Sequence, residues 1–173
     1  MKVAIIDCGT NTFNLLIAEQ RKSGYKKVFK SKAVVKLGQG GIANNTIAPE
    51  AFQRGIDAIC QHLEKIKEYD VSKTLAFATS AIRSTDNGRK FVEKIKTLYG
   101  LKIQIIDGNK EAELIYHGVK QAIDLGQSNK LIMDIGGGST EFIIANKEEV
   151  FWKQSFQLGV SRLLENFKPS DPI

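Results

Sequence analysis

Twice in this chain an apolar run ends on an aspartate and then turns through residues too small to fill a strand. In the first case Val3 to Ile6 is closed by Asp7 and followed by Cys8-Gly9-Thr10-Asn11-Thr12. In the second, Lys130 to Ile135 reads as a strand carrying Asp134 at its end, followed by Gly136-Gly137-Gly138-Ser139-Thr140. An apolar run returns after each turn, Phe13 to Glu19 and Glu141 to Ala145. Such a pattern demands strand, tight turn, strand, because a glycine run weakens a strand interior and chain reversal is where it fits.

The segments between the turns extend the pattern. Tyr25 to Lys36 has strand-like content, and Gly38 to Gly41 is a loop. Pro49 opens a helix, where its missing N–H costs nothing. Phe52, Ile56, Ile59, Leu63 and Ile66 fall on one helical face. Thr74 to Thr79 reads as a strand and Ser80 as the start of a turn. Asp86 is placed to cap a helix from Asn87 to Tyr99, which Gly100 stops. Leu101 to Asp107 reads as a strand, and Lys110 to Asp124 as a helix ended by Gly126. After the second turn come a strand from Val150 to Leu158 and a helix from Gly159 to Phe167.

Three strands joined by short turns, then strands separated by helices, predict an α/β fold with a mixed sheet flanked by helices. The second turn opens the same series again, so the architecture reads as duplicated. Residues 1–126 hold every element of the first unit. Residues 127–173 hold the first three strands and one helix of a second, which stops at Asp171-Pro172-Ile173. One domain with a C-terminal extension is the alternative.

Among 173 residues the formal net charge is +6 and the pI about 9.3. That balance favours a polyanionic partner without choosing among nucleic acid, polyphosphate and nucleotide. Cys8 and Cys60 stand in no C-x-x-C pattern and read as reduced thiols. Asp7 interrupts the first apolar run too early for a signal peptide. The longest apolar stretch, around Leu131 to Ala145, carries Asp134, Glu141 and the glycines and is no membrane span. The expectation is a cytoplasmic protein without a membrane or a specific nucleic-acid partner; Trp152 and the tyrosines lack the aromatic-basic interleaving of nucleic-acid modules.

Small residues after a strand let backbone N–H groups approach phosphate oxygens, and hydroxyls add donors. A carboxylate at that point repels phosphate unless Mg²⁺ sits between them, bound by one or two carboxylates plus phosphate oxygens and waters. Plain hairpin turns use the same residue types, and the first turn alone would not decide. Glu111 and Glu113 sit in a first helical turn, where neutralising the helix dipole accounts for both, while a carboxylate in a phosphate cleft could serve as general base. Arg83, after a strand end, suits either a bidentate phosphate clamp or a surface salt bridge. Lys26, Lys27, Lys30, Lys32 and Lys36 read as a solvated strand face. His62 and His117 lack partners at metal-ligand spacing and read as structural.

Asp7-Cys8-Gly9-Thr10-Asn11-Thr12 resembles the first phosphate motif of the actin, sugar kinase and heat-shock ATPase superfamily, and Asp134 through Glu141 resembles its second. Phe77-Ala78-Thr79-Ser80-Ala81-Ile82-Arg83 with Asn87-Gly88, then Gly108 through Ile115, then Leu158-Gly159-Val160-Ser161-Arg162-Leu163 are similar to the exopolyphosphatase / guanosine pentaphosphate phosphohydrolase family, in that family's order. The resemblance implies ribonuclease-H-like (actin-like ATPase) domains with the active site between them. It implies Glu111 as the general base, and Asp134 and Glu141 as catalytic and metal residues with Asp7 beside them. Asn11, Thr12, Gly137, Gly138, Ser139 and Thr140 would cradle phosphate, and Arg83 would hold the chain or its terminal phosphate. The family's segment has two adjacent glutamates; Lys110 replaces the first.

By this resemblance the expected activity is Mg²⁺-assisted (or other divalent-cation-assisted) release of orthophosphate from inorganic polyphosphate or guanosine pentaphosphate. The full-length parent would be a homodimer, and the present chain alone a poor catalyst. An ATPase or kinase of the same superfamily, or a non-catalytic phosphate or nucleotide sensor, are the rival expectations.

Overall fold

A computed structural model describes residues 1–168 and 170. The expected end of the second unit at Asp171 to Ile173 therefore lies outside the described residues. The chain opens with β1 (Lys2–Cys8), β2 (Thr12–Arg21) and β3 (Gly24–Val34). Period-2 alternation buries Ala4, Ile6 and Cys8 of β1 and Phe13, Leu15 and Ile17 of β2. Antiparallel pairing sets these residues opposite one another: Ala4 with Ile17, Ile6 with Leu15, Cys8 with Phe13. A one-residue slip would turn all six out of the core, so burial fixes the register.

A 3-10 turn at Ile42–Asn44 leads to α1 (Pro49–Glu68), which begins on its proline. Its residues Ile56, Ile59 and Ile66 enter the same core, with Phe52 and Leu63 packed at its margin. Then come β4 (Lys73–Ala78), α2 (Ser80–Ser84), α3 (Gly88–Tyr99) and β5 (Ile103–Ile105). Strands β4 and β5 join β1 in parallel, giving a five-stranded mixed sheet in the order β3-β2-β1-β4-β5. That order and these senses are those of the ribonuclease-H-like fold.

Two local expectations change. Ser80 begins a short helix rather than a bare turn. Asn87, not Asp86, stands at the start of α3, and its side chain makes no cap there. Its amide instead bonds the backbone of Ile47 in both directions, at 2.8 Å each. Gly100, at φ 68°, closes α3 in the left-handed conformation.

Helix α4 (Gly108–Ala122) starts on Asp107, whose carboxylate accepts the Lys110 N–H at 2.8 Å. The antiparallel meander β6 (Lys130–Ile135), β7 (Thr140–Ala145) and β8 (Val150–Phe156) follows, then α5 (Val160–Phe167). Helix α4 packs on this second sheet: Ala112 and Tyr116 share a core with Leu125, Ile132, Ile143 and Ala145. The Tyr116 hydroxyl donates to the Asn146 carbonyl at 3.0 Å. Among the described residues no helix is long and apolar enough to cross a membrane.

Candidate active site

The two turns expected from sequence have the same internal geometry. Gly9 N–H donates to the Thr12 carbonyl at 3.0 Å, and Gly136 N–H to the Ser139 carbonyl at 2.9 Å. In each, the aspartate lies two residues before the glycine and faces the returning strand: Asp7 pairs with Asn14, Asp134 with Glu141. The turns lie against each other. A Cβ on Gly137 would meet Asn11 Nδ2 at 2.8 Å, and one on Gly138 would meet Ser80 Oγ at 2.6 Å and Thr10 Oγ1 at 2.7 Å. Glycine is required here by close approach between backbone and neighbours.

Between the turns is a cleft of about 380 Å³. Of the residues expected from sequence, Asp7, Asn11, Thr12, Glu111, Asp134, Gly137, Gly138 and Ser139 line it. Glu141 and Thr140 stand behind it. Glu141 is 2% exposed and its Oε1 accepts the Ser155 hydroxyl at 2.6 Å. The Thr140 hydroxyl is taken by the Leu158 carbonyl. Arg83 sits at the side, where its Nη1 donates to Glu111 Oε2 at 2.8 Å and to the Ile106 carbonyl at 3.0 Å.

Thr10, Lys32, Thr79 and Ser80 also line the cleft, beyond the site residues expected from sequence. Thr10 is inside the first turn, and Thr79-Ser80 follows the end of β4, a position at which α/β sheets bind ligands. Lys32 required the register: alone in its basic run it lies opposite Asn14, itself opposite Asp7. Lys32 is exposed like the rest of that run, as a solvated strand face should be. His62 is buried against the Phe13 carbonyl, with Nε2 3.2 Å away, and burial lowers its pKa.

The electrostatics follow from burying acids near one another. Burial pushes the Glu111 carboxyl up to about 7, against the pull of the Arg83 hydrogen bond and with further upward push from Glu141 and Asp7. Burial also raises Asp7; the Asn14 amide, 3.1 Å from its Oδ2, lowers it, and Asp134 raises it again.

The backbone of both turns is held from one side. Gly38 N–H reaches the Thr10 carbonyl at 3.2 Å, and Val35 and Lys36 N–H groups reach the Asn11 carbonyl at 3.0 and 2.8 Å. In the second turn Val160 N–H holds the Gly136 carbonyl at 3.0 Å, and Ser161 and Arg162 N–H groups hold that of Gly137 at 2.8 and 3.3 Å. In a trans peptide the next N–H points opposite to the carbonyl. The N–H groups of Asn11, Thr12, Gly137 and Gly138 are thereby turned away from these anchors. Consecutive N–H groups so turned form a concavity for anions.

Asp7 and Asp134 line the cleft, and the charge of Asp134 adds to the upward push on Asp7. No cluster of three or more His, Cys, Asp or Glu among the described residues forms a cage. Two carboxylates with room for phosphate oxygens and waters is a set that suits Mg²⁺, and it lacks the imidazole and thiolate ligands of a structural zinc site.

Strand order, strand sense and the paired turns define an α/β protein of the ribonuclease-H-like fold class. Within that class the chain belongs to the Ppx/GppA phosphatase family, whose model matches residues 16–173. It is 41% identical to an exopolyphosphatase from Cytophaga hutchinsonii of known crystal structure, with a TM-score of 0.97 over 100% of this chain and 55% of that one. It is 36% identical over 172 residues to the bifunctional 3-dehydroquinate synthase/phosphatase of Fusobacterium nucleatum, covering 95% of this chain and 26% of that protein. It is 34% identical over 164 residues to the guanosine-5'-triphosphate,3'-diphosphate pyrophosphatase of Aliivibrio fischeri, covering 95% and 33%. The chain thus spans about half of the solved relative and a third or less of the two curated ones.

Proposed function

We propose that this chain carries the catalytic cleft of a phosphoanhydride hydrolase that releases orthophosphate from inorganic polyphosphate or guanosine pentaphosphate. The observation that carries the reading is Glu111, whose carboxyl lines the cleft facing both turns and is pushed up to about 7. A base with that proton affinity is matched to taking a proton from water near neutral pH. The family and the two relatives named for phosphoanhydride cleavage support it. A duplicated architecture, with a first unit over 1–126 and the opening strands and helix of a second over 127–173, is supported by the matching turn geometry, with α4 working alongside the second sheet.

In this reading the Asn11, Thr12, Gly137, Gly138 and Ser139 N–H groups bind the terminal phosphate and fix its orientation. Arg83 holds Glu111 with Nη1, leaving Nε and Nη2 as donors toward a phosphate oxygen. Glu111 orients the attacking water and takes its proton, and the bond to the leaving phosphate breaks. Asp134 and Asp7 would hold Mg²⁺, with Glu141 completing the acidic wall through Ser155. Bound there, Mg²⁺ would offset charge developing on the phosphate oxygens. The reduced thiols suit a cytoplasmic setting.

The test is orthophosphate release from polyphosphate and from guanosine pentaphosphate by the protein and by Glu111→Gln, with and without Mg²⁺. Release that needs both Glu111 and Mg²⁺ is expected. Binding without release over long incubation would replace this reading with a phosphate sensor.

A further inference from the structure

Arg162 is 8% exposed, yet its guanidinium meets no carboxylate among the described residues. Its acceptors are the Gly138 carbonyl (Nε, 3.4 Å), the Ile42 carbonyl (Nη1, 3.1 Å), Asn45 Oδ1 (Nη1, 3.5 Å) and Ser84 Oγ (Nη2, 2.9 Å). These acceptors belong to three separate places: the second turn, the 3-10 turn and the end of α2. A buried cation without an acid keeps its desolvation cost unless another negative charge meets its field. Lysine could not reach these acceptors together, because the forked geometry belongs to the guanidinium.

The bond to Gly138 completes a series. Helix α5 holds the Gly136 and Gly137 carbonyls through backbone N–H groups, and the Arg162 side chain holds the third. By the same trans-peptide argument the Ser139 N–H is then turned away from Arg162, alongside those of Gly137 and Gly138. No backbone carbonyl among the described residues outside the sheets and helices accepts from these three N–H groups. The same helix turn also fixes the first turn, since the Ser161 hydroxyl donates to Asn11 Oδ1 at 2.7 Å.

We propose that Arg162 is a positioning residue for phosphate: it aims the Ser139 N–H into the cleft and ties the second turn to the 3-10 turn and the end of α2. Its unpaired charge stands behind the second turn and favours an anion in front of it. This rests on the phosphate reading of the cleft, and deepens it by naming what preorganises the second turn.

The experiment measures binding of imidodiphosphate, whose P–N–P link resists hydrolysis, by calorimetry in the protein, Arg162→Met and Arg162→Lys. Thermal melts and the Ser139 amide resonance are followed in the ligand-free state. Arg162→Met is expected to lose at least tenfold in affinity and to move the Ser139 resonance, while resonances of β1 and β2 stay in place. Arg162→Lys, which keeps the charge and loses the fork, should bind with intermediate affinity. It carries the test if the Met variant does not fold. Wild-type affinity in the folded variants, or a loss that only tracks the unfolded fraction, overturns the proposal. If the unsubstituted protein fails to bind imidodiphosphate, the phosphate reading falls and this inference with it. If that protein binds and the variants bind equally, only the role of Arg162 falls.

Discussion

Arg83 Nη1 lies 2.8 Å from Glu111 Oε2, and this ion pair joins α2, at the end of a first-sheet strand, to α4, which packs on the second sheet. Arg83 works against the burial that raises Glu111. The expected pH profile of kcat/KM has an acid limb near pH 7, falling as Glu111 takes up its proton. Arg83→Ala removes the group that lowers the Glu111 pKa, so the limb should move to higher pH while KM rises. A limb that stays in place would show that Arg83 does not control the base.

Glu111→Gln should cut turnover by roughly 10²–10⁴-fold while leaving substrate binding close to normal, since the amide keeps the shape and loses the basicity. The same change has a stability signature. Burial holds the folded carboxyl up at about 7, above the ordinary glutamate value of 4.5. Over that window the folded state holds more proton than the unfolded one, so its stability falls as pH rises. Glutamine does not ionise, so the variant should gain on the order of 1–2 kcal/mol at pH 8, after the lost Arg83 partner is allowed for, and little at pH 4. Melts at the two pH values check the sign.

Asp134→Asn should raise the Mg²⁺ concentration for half-maximal activity by about tenfold or more, since even outer partners of a metal site are worth 10–100-fold. A metal titration of phosphate release measures it. An unchanged midpoint would remove Asp134 from the metal site.

Gly108 opens α4 against β8, and a Cβ there would lie 2.4 Å from Ser155 Cβ. Gly108→Ala should push Ser155 off Glu141 and destabilise the protein by about 1–3 kcal/mol, as overpacking does. Adding Ser155→Gly should recover the melting temperature but not turnover, because Glu141 still lacks its hydroxyl donor. Full turnover in Gly108→Ala would mean that the hydroxyl is not needed.

Much of this site could be read in the sequence because it is local. Asp7, Asn11 and Thr12 fall within six consecutive residues, and Asp134 through Ser139 within another six, so strand and turn chemistry alone put them together. What depends on distant packing could not be read. The apolar face of α4 is visible as periodicity, but periodicity does not say which sheet receives it. The partner of Arg83 lies 28 positions away, and Arg162 meets Ile42 across 120. Lys32 differs from its neighbouring lysines only through the β-register.

Because α4 rides on the second sheet while Asp7 and Arg83 ride on the first, the seam of the molecule runs between the base and the groups that set its proton affinity. The Arg83–Glu111 contact is thus a side-chain tie across that seam, apart from both apolar cores. A Glu111 parted from Arg83 would keep the upward push of burial and lose the guanidinium that lowers it. The proton affinity of Glu111 is in this way tied to how the two sheets are set against each other.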